Sequence, residues 1–417
     1  MTTELPNKIA ALLDKGVSIP CPSAVAIGDE VKPERIFANG TTLYPGTRLA
    51  GEKTLIGPGA KIGFESPATL VDCRLGPGVE LKGGFFTQSV FLARSSMGSG
   101  AQVRECCLLE EEASGAHAVG LKQTILLPFV TLGSLINFCD CLMAGGTSRK
   151  NHSEVGSSYI HFNFTPNQDK ATASLIGDVP RGVMLRSAPI FLGGQGGLVG
   201  PVMLGYGTVI AAGTVWEEDC PQGGMLLKGS ALLSERPHHP GLYREVRRKV
   251  VNNLSYVGNL AALRQWYVHV RRPFMKTLAG GAALCEGALE VLDGAIAERI
   301  ARLGALAGKM EQSIAIAEKV LQGRAKAAHV KHKRELLNNW PEAETRLAGL
   351  ADDSIGNTER SHFLQVIDER LSKGAGDYID FIQALDRESA DAGSAWLQSV
   401  ADAVVSRALD ALPSFRR

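Results

Sequence analysis

The 417-residue chain has no apolar run approaching the ~18 residues that a helix needs to cross a bilayer, which excludes a transmembrane helix on length. It has no excess of either charge. Its 44 basic and 43 acidic residues leave a formal +1, so nothing calls for nucleic acid or an anionic membrane as a partner. The eight cysteines form no CxxC pair. The adjacent Cys106 and Cys107 and the Cys139-Asp140-Cys141 run fit neither a zinc ribbon nor a secreted disulfide framework, so reduced thiols in a cytoplasm are expected. The opening MTTELPNKIAALLDKG has no basic n-region, which argues against a signal peptide. It predicts a short helix from Pro6 to Lys15, stopped by Gly16.

Glycine is abundant, and its distribution is uneven: most of the 47 glycines fall before residue 232. In that first part the aliphatic residues recur at a spacing of six. Leu192, Leu198, Leu204 and Ile210 hold the register in FLGGQGGLVGPVMLGYGTVIAAGTV. Leu43 and Leu49, then Ile56 and Ile62, repeat it, and Leu75 and Leu81 follow. Six is neither the period of a helix nor that of a strand. It fits a triangular solenoid in which each side takes six residues, one aliphatic side chain per side points inward, and Gly, Pro, Asn and Asp collect at the corners. A sandwich would instead show alternating strands at regular 8–12-residue spacing. Between residues 83 and 191 the register is imperfect, and Gly83–Gln88 and Asp178–Pro189 are expected to loop out.

After Ser230 the text changes to strong helix formers. Apolar residues from Leu289 to Leu321 recur at steps of three and four, predicting a long helix with one packed stripe. Further helices are expected over 241–272, 341–351, 358–373, 376–389 and 393–411. The fold class is thus a left-handed parallel β-helix of hexapeptide repeats followed by an all-α C-terminal domain. The divisions are a lead-in at 1–26, the β-helix at 27–230, a linker at 231–240 and helices at 241–417. A chain ending near Ser230 is expected to fold by itself, because solenoid coils depend on their neighbours.

Several segments of the first part follow in order: N137-F-C-D, SRKNHSEVG (148–156), HFNF (161–164), LIGD (175–178) and LVGPVMLGYGTVIAAGT (198–214). Together they resemble the acetyltransferase half of the bifunctional glucosamine-1-phosphate N-acetyltransferase/uridyltransferase family, over about residues 6 to 230. The resemblance implies transfer of an acetyl group from acetyl-CoA, the co-substrate, to an amino sugar phosphate or nucleotide-linked amino sugar on the route to UDP-N-acetylglucosamine. It implies a homotrimer with active sites between adjacent prisms. His152 takes the place of the general base, and imidazole, with a reference pKa near ~6.5, suits removal of a proton from an ammonium group. Asn163-Phe164 falls on the family's Asn-Tyr pair, keeping the amide and losing the phenol, and Lys170 matches a lysine of the same loop. Gly194, Ala212 and Lys228 fall on the coenzyme side.

The chain also departs from the family. Thr131 stands where an arginine binds the sugar phosphate, and Leu142 lies near the position of a lysine. Arg149 and Lys150, beside His152, are candidates to replace them. The uridyltransferase half is not expected here: LMAGGTSRK (142–150) looks like a phosphate loop, but no Rossmann-like domain surrounds it. Two other readings stay open. One is a metal site of His117, His152 and His161, although acetyl transfer itself requires no metal. The other is an eroded sugar-nucleotide-binding or scaffold trimer whose helical domain recruits a protein partner.

Overall fold

The computed structural model describes residues 6–229, 237–321, 323–348, 357–374 and 376–416. After a first helix, α1 (Asn7–Asp14), the chain winds into a parallel β-solenoid of about 11 turns, followed by helices, in agreement with the left-handed β-helix expected from the repeat. One coil runs through Arg48–Ala50, Leu55–Ile56 and Lys61–Ile62, then returns as Ala68–Val71 beside its starting strand. These three sides are here called faces 1, 2 and 3. Face 3 is a ten-stranded parallel sheet from Thr42–Leu43 to Leu226–Leu227. The inward aliphatics Leu43, Leu49, Ile56, Ile62, Leu192, Leu198, Leu204 and Ile210 are all at most 2% exposed and share one interior core.

Gly83–Gln88 does not loop out. Gly84–Thr87 is a face 1 strand paired on both sides, with Ala68–Val71 and with Ala101–Val103. The register is hard to read there because the corner between faces 1 and 2 is turned by residues with side chains. Asp72, Gln88, Cys106, Gln123 and Asp140 all take positive φ, between 45° and 59°, each at about 1–2 kcal/mol relative to right-handed backbone. Asp178–Pro189 does leave the stack, and it carries the short helix α2 (Val179–Gly182).

The helical part comprises α3 (Val246–Trp266), which passes through a π-helical turn (Tyr267–Arg271) into α4 (Arg272–Met275), then α5 (Gly281–Gly308) and α6 (Met310–Val320). The expected long helix therefore breaks at Lys309. It continues with α7 (Gly323–Leu347), α8 (Asn357–Leu371), α9 (Tyr378–Gln383) and α10 (Arg387–Ala411). α7 extends well upstream of the expected 341–351 and holds Pro341 inside it; residues 349–351 of that expectation lie outside the described ones. Among the described residues no helix is long and apolar enough to cross a membrane.

These helices lie along face 2. Its outward positions form a ladder, Leu55, Arg74, Val90, Leu108, Ile125, Leu142 and Leu175, each paired with the next coil. The six apolar members share one core with Val250, Leu254, Val257 and Ala261 of α3 and Leu284 and Leu292 of α5. The polar member, Arg74, donates from both terminal nitrogens to the Glu290 carboxylate of α5, at 3.0 and 3.1 Å. Other polar pairs pin the same contact. Arg271 reaches Glu111 at 2.6 Å, the Tyr267 hydroxyl donates to Glu110 at 2.6 Å, and Arg299 donates to Asp140 at 2.8 Å.

Candidate functional site

His152 stands on a hairpin that leaves the corner between faces 2 and 3. Gly146–Ser148 pairs antiparallel with Asn151–His152, and Arg149 and Lys150 form the exposed tip. Only glycine fits the base of this hairpin: Gly146 has φ +106°, and a Cβ there would lie 2.6 Å from the His152 Cα. Ser153 ties the hairpin down, donating to the Ala144 carbonyl and accepting from the Ile190 amide, both at 2.8 Å. The His152 ring is half-buried. Its Nδ1 is buried without a hydrogen-bond partner and its Nε2 lies 4.0 Å from the Glu154 carboxylate.

Arg149 folds back onto the next coil. Its Nη1 donates to Thr131 Oγ1 at 2.8 Å and to the carbonyls of Glu112 and Phe129 at 3.0 Å. A guanidinium thus sits on the residue that stands where the resemblance puts an arginine. Leu142 is different. It is a fully buried rung of the face 2 ladder beneath the helices, so a lysine there would place an ammonium in the core.

The corner between faces 1 and 2 carries the loop 163–173. Asn163 and Lys170 are exposed, and Phe164 is 67% exposed. The Thr172 hydroxyl donates to Asn163 Oδ1 at 2.8 Å, which fixes the oxygen end of this exposed amide. Thr172 gave no signal in the sequence, because a threonine in a glycine-poor loop reads as an ordinary surface residue.

The third corner, between faces 3 and 1, holds the coenzyme-side candidates. Val155, Leu192, Ile210 and Leu227 are successive rungs of face 3. Two residues beyond each come Ser157, Gly194, Ala212 and Gly229, a column of small residues running up the stack. A Cβ on Gly194 would meet the Ser157 carbonyl oxygen at 2.8 Å, so the column is closely set. Ala212 and Lys228 are exposed beside it. Ser157 escaped the sequence reading, although counting two beyond each aliphatic rung finds it.

The candidates therefore occupy three different corners, and one chain does not bring them together. The three histidines are also apart. His117 hydrogen-bonds Ser134 at 2.8 Å on the third corner, whereas His161 points into the prism against Ser174 at 2.7 Å. Burial pushes the His161 pKa down to about 4, so this ring is a neutral core residue. Among the described residues no three His, Cys, Asp or Glu side chains are grouped to hold a metal ion.

Fold and site together define a hexapeptide-type parallel β-helix protein with a helical domain laid on one face and candidate polar groups at the corners. No protein-family model matches the chain. It is similar to the bifunctional protein GlmU of Thermotoga maritima, with 28% identity over 216 residues, 52% of this chain and 43% of that protein. The GlmU of Carboxydothermus hydrogenoformans is 24% identical over 232 residues, 56% of this chain and 46% of that protein. The GlmU of Exiguobacterium sibiricum is 23% identical over 218 residues. The chain spans less than half the length of the curated relatives it matches. With the β-solenoid, these matches bear out the resemblance to the acetyltransferase half of such a bifunctional enzyme.

Proposed function

We propose that the protein is an acetyl-CoA-dependent N-acetyltransferase of an amino sugar phosphate or nucleotide-linked amino sugar, working as a homotrimer. The observation that carries this reading is the hairpin around His152. It presents a half-buried imidazole and an arginine at the corner where the related segments call for a base and a phosphate-binding cation.

In this reading His152 Nε2 takes the proton of the sugar ammonium, and the freed amine attacks the thioester carbonyl. The C–S bond of the tetrahedral intermediate then breaks, the proton held by His152 passes to the departing thiolate, and the nitrogen releases its second proton to solvent to leave a neutral amide. Backbone N–H groups supply the oxyanion donors. Asn163, its amide oxygen fixed by Thr172, orients the amine; Arg149, with Lys150, takes the acceptor's phosphate; and Phe164 and Lys170 line the acceptor. The small column at Gly194 and Ala212 leaves a slot for the pantetheine arm, and Lys228 pairs with the coenzyme phosphates. Because these groups lie on separate corners, a complete site needs more than one copy of the chain.

A second reading, a catalytically silent sugar-nucleotide-binding or scaffold trimer, draws support from Leu142, where the helices bury a position that a cationic acceptor site would use. Calorimetric titration of acetyl-CoA separates the two. Wild type should bind it and acetylate an amino sugar, and Ala212→Trp should abolish binding by filling the slot. His152→Ala should bind normally while kcat falls by roughly 10²–10⁴-fold, the range for a positioned general base. A wild type that takes up no acetyl-CoA would leave the scaffold.

A further inference from the structure

The loop 163–173 supplies three of the acceptor-side candidates, and the helical domain grips it from below. Lys309, at the break between α5 and α6, donates to the carbonyls of Asn167 and Gln168, both at 2.7 Å. The Tyr243 hydroxyl donates to the same Asn167 carbonyl at 2.8 Å, and the Gly241 amide donates to Asn167 Oδ1 at 2.7 Å. Lys249 of α3 pairs with Asp169, which is 1% exposed. Asn253 donates from its amide to the Ala171 carbonyl at 3.1 Å. Further in, Arg299 of α5 holds Asp140, and the Thr172 hydroxyl lies 3.5 Å from the other oxygen of that carboxylate while donating to Asn163.

These contacts divide the loop by function. The groups that face the helices are its carbonyls, Asn167 and Asp169, each given a donor, as buried backbone and carboxylate oxygens require. The exposed side chains include those of Asn163, Phe164 and Lys170. A loop of this length on a solenoid corner would otherwise sample many conformations. Lysines are well suited to the task, since one ammonium can serve two or three acceptors.

We propose that the helical domain is a positioning clamp for the acceptor-binding loop, with Lys249 and Lys309 as its positioning residues. The clamp sets the direction of Asn163 and Lys170 for the amino sugar; that acceptor role rests on the acyltransferase reading, whereas the mechanical role does not. It also predicts that the helical domain governs affinity for the acceptor and leaves affinity for acetyl-CoA alone, because the coenzyme-side column lies on a different corner.

The test uses the full-length chain with Lys249→Met, Lys309→Met and, in case either fails to fold, Asp169→Asn, which removes the ion pair and keeps both helices intact. Hydrogen exchange read by mass spectrometry should accelerate at least about tenfold over residues 163–172, with the face 2 strands unchanged. With an amino sugar that wild type acetylates, KM for that sugar should rise about fivefold or more while KM for acetyl-CoA stays put, since small misplacements of a positioning group cost rate steeply. Lys309→Arg, still able to donate to both carbonyls, should restore both readouts. Unaltered exchange over 163–172 would overturn the clamp, as would KM values for both substrates rising in step. A wild type that acetylates no amino sugar would overturn the acceptor role, and the exchange result would still decide whether the loop is clamped.

Discussion

Removing the helical domain should leave a β-helix that sticks to itself. A chain ending at Gly229 keeps its coil-to-coil hydrogen bonds and interior core, so the solenoid has its internal stability. It loses the cover of face 2. Leu55, Val90, Leu108, Ile125, Leu142 and Leu175 are between 0 and 6% exposed in the whole protein. At roughly 1.5–3 kcal/mol for each such side chain, uncovering them forfeits on the order of 9–18 kcal/mol of apolar transfer. That rivals the entire stability of a typical domain, about 5–15 kcal/mol. Arg74, Glu110, Glu111 and Asp140 also lose their partners across the contact. The expected product of the 1–229 chain is soluble aggregate that binds a hydrophobic dye strongly, with β-rich circular dichroism. Size-exclusion chromatography with light scattering and dye fluorescence read this directly. A monodisperse truncated protein that binds no dye and melts within a few degrees of the full chain would refute the argument, and would restore the sequence-based expectation of an independent module.

Leu142→Lys, which puts a lysine back near the family's position, should destabilise the protein by about 3 kcal/mol or more, because the new ammonium lies under the helices; an unchanged denaturation midpoint would show that the site is open. Glu110 gives a pH dependence: burial raises its pKa from 4.5 to about 7, with Arg271 opposing. The folded protein then holds a proton that the unfolded chain releases, so stability should fall as pH rises from about 4.5 to about 7 and level off above, by roughly 1.4 kcal/mol per pH unit at most. Glu110→Gln, which keeps an acceptor for Tyr267, should flatten the Tm profile between pH 5 and 7; a constant offset from wild type would mean that Glu110 is ionised throughout.

The prism was legible because its rule is strict. An aliphatic every six residues admits few other objects, and the rungs from Leu43 to Ile210 fell where the count put them. The placement of the helices was not read, yet the text carried a signal for it. Leu55-Ile56, Val90-Phe91, Leu108-Leu109, Ile125-Leu126, Leu142-Met143 and Leu175-Ile176 are apolar doublets on one face. Adjacent strand residues point to opposite sides, so a doublet repeated on most coils, with Arg74-Leu75 as the exception, means that both sides are covered. Corner turns at Asp72, Gln88, Cys106, Gln123 and Asp140 hid the register, since no glycine marks them. The site was legible only by likeness of short segments. Its second tier, Thr172, Asp140, Lys249 of α3 and Lys309 at the break between α5 and α6, is joined by contacts between distant parts of the chain that no local pattern encodes.

Covering face 2 also restricts how copies of the chain can meet, and this bears on where a complete site forms. In the proposed homotrimer a neighbouring prism would approach through faces 1 and 3. Their shared corner carries Gly194 and Ala212, and it is flanked by Val215, 56% exposed, and by Phe191 and Leu226, 40% and 61% exposed. His152 stands at the opposite edge of face 3. In the proposed ring each chain would therefore lend its coenzyme corner to one neighbour and its His152 hairpin to the other, a heterologous contact repeated three times. Mixed assemblies test this. His152→Ala and Ala212→Trp chains should each be inactive alone. Co-expressed at equal levels, random assembly into a closed ring gives a site both intact contributors about one time in four, so the mixture should recover about a quarter of wild-type activity. If base and slot came from the same chain, every site would carry one lesion and the mixture would stay as inactive as its parents.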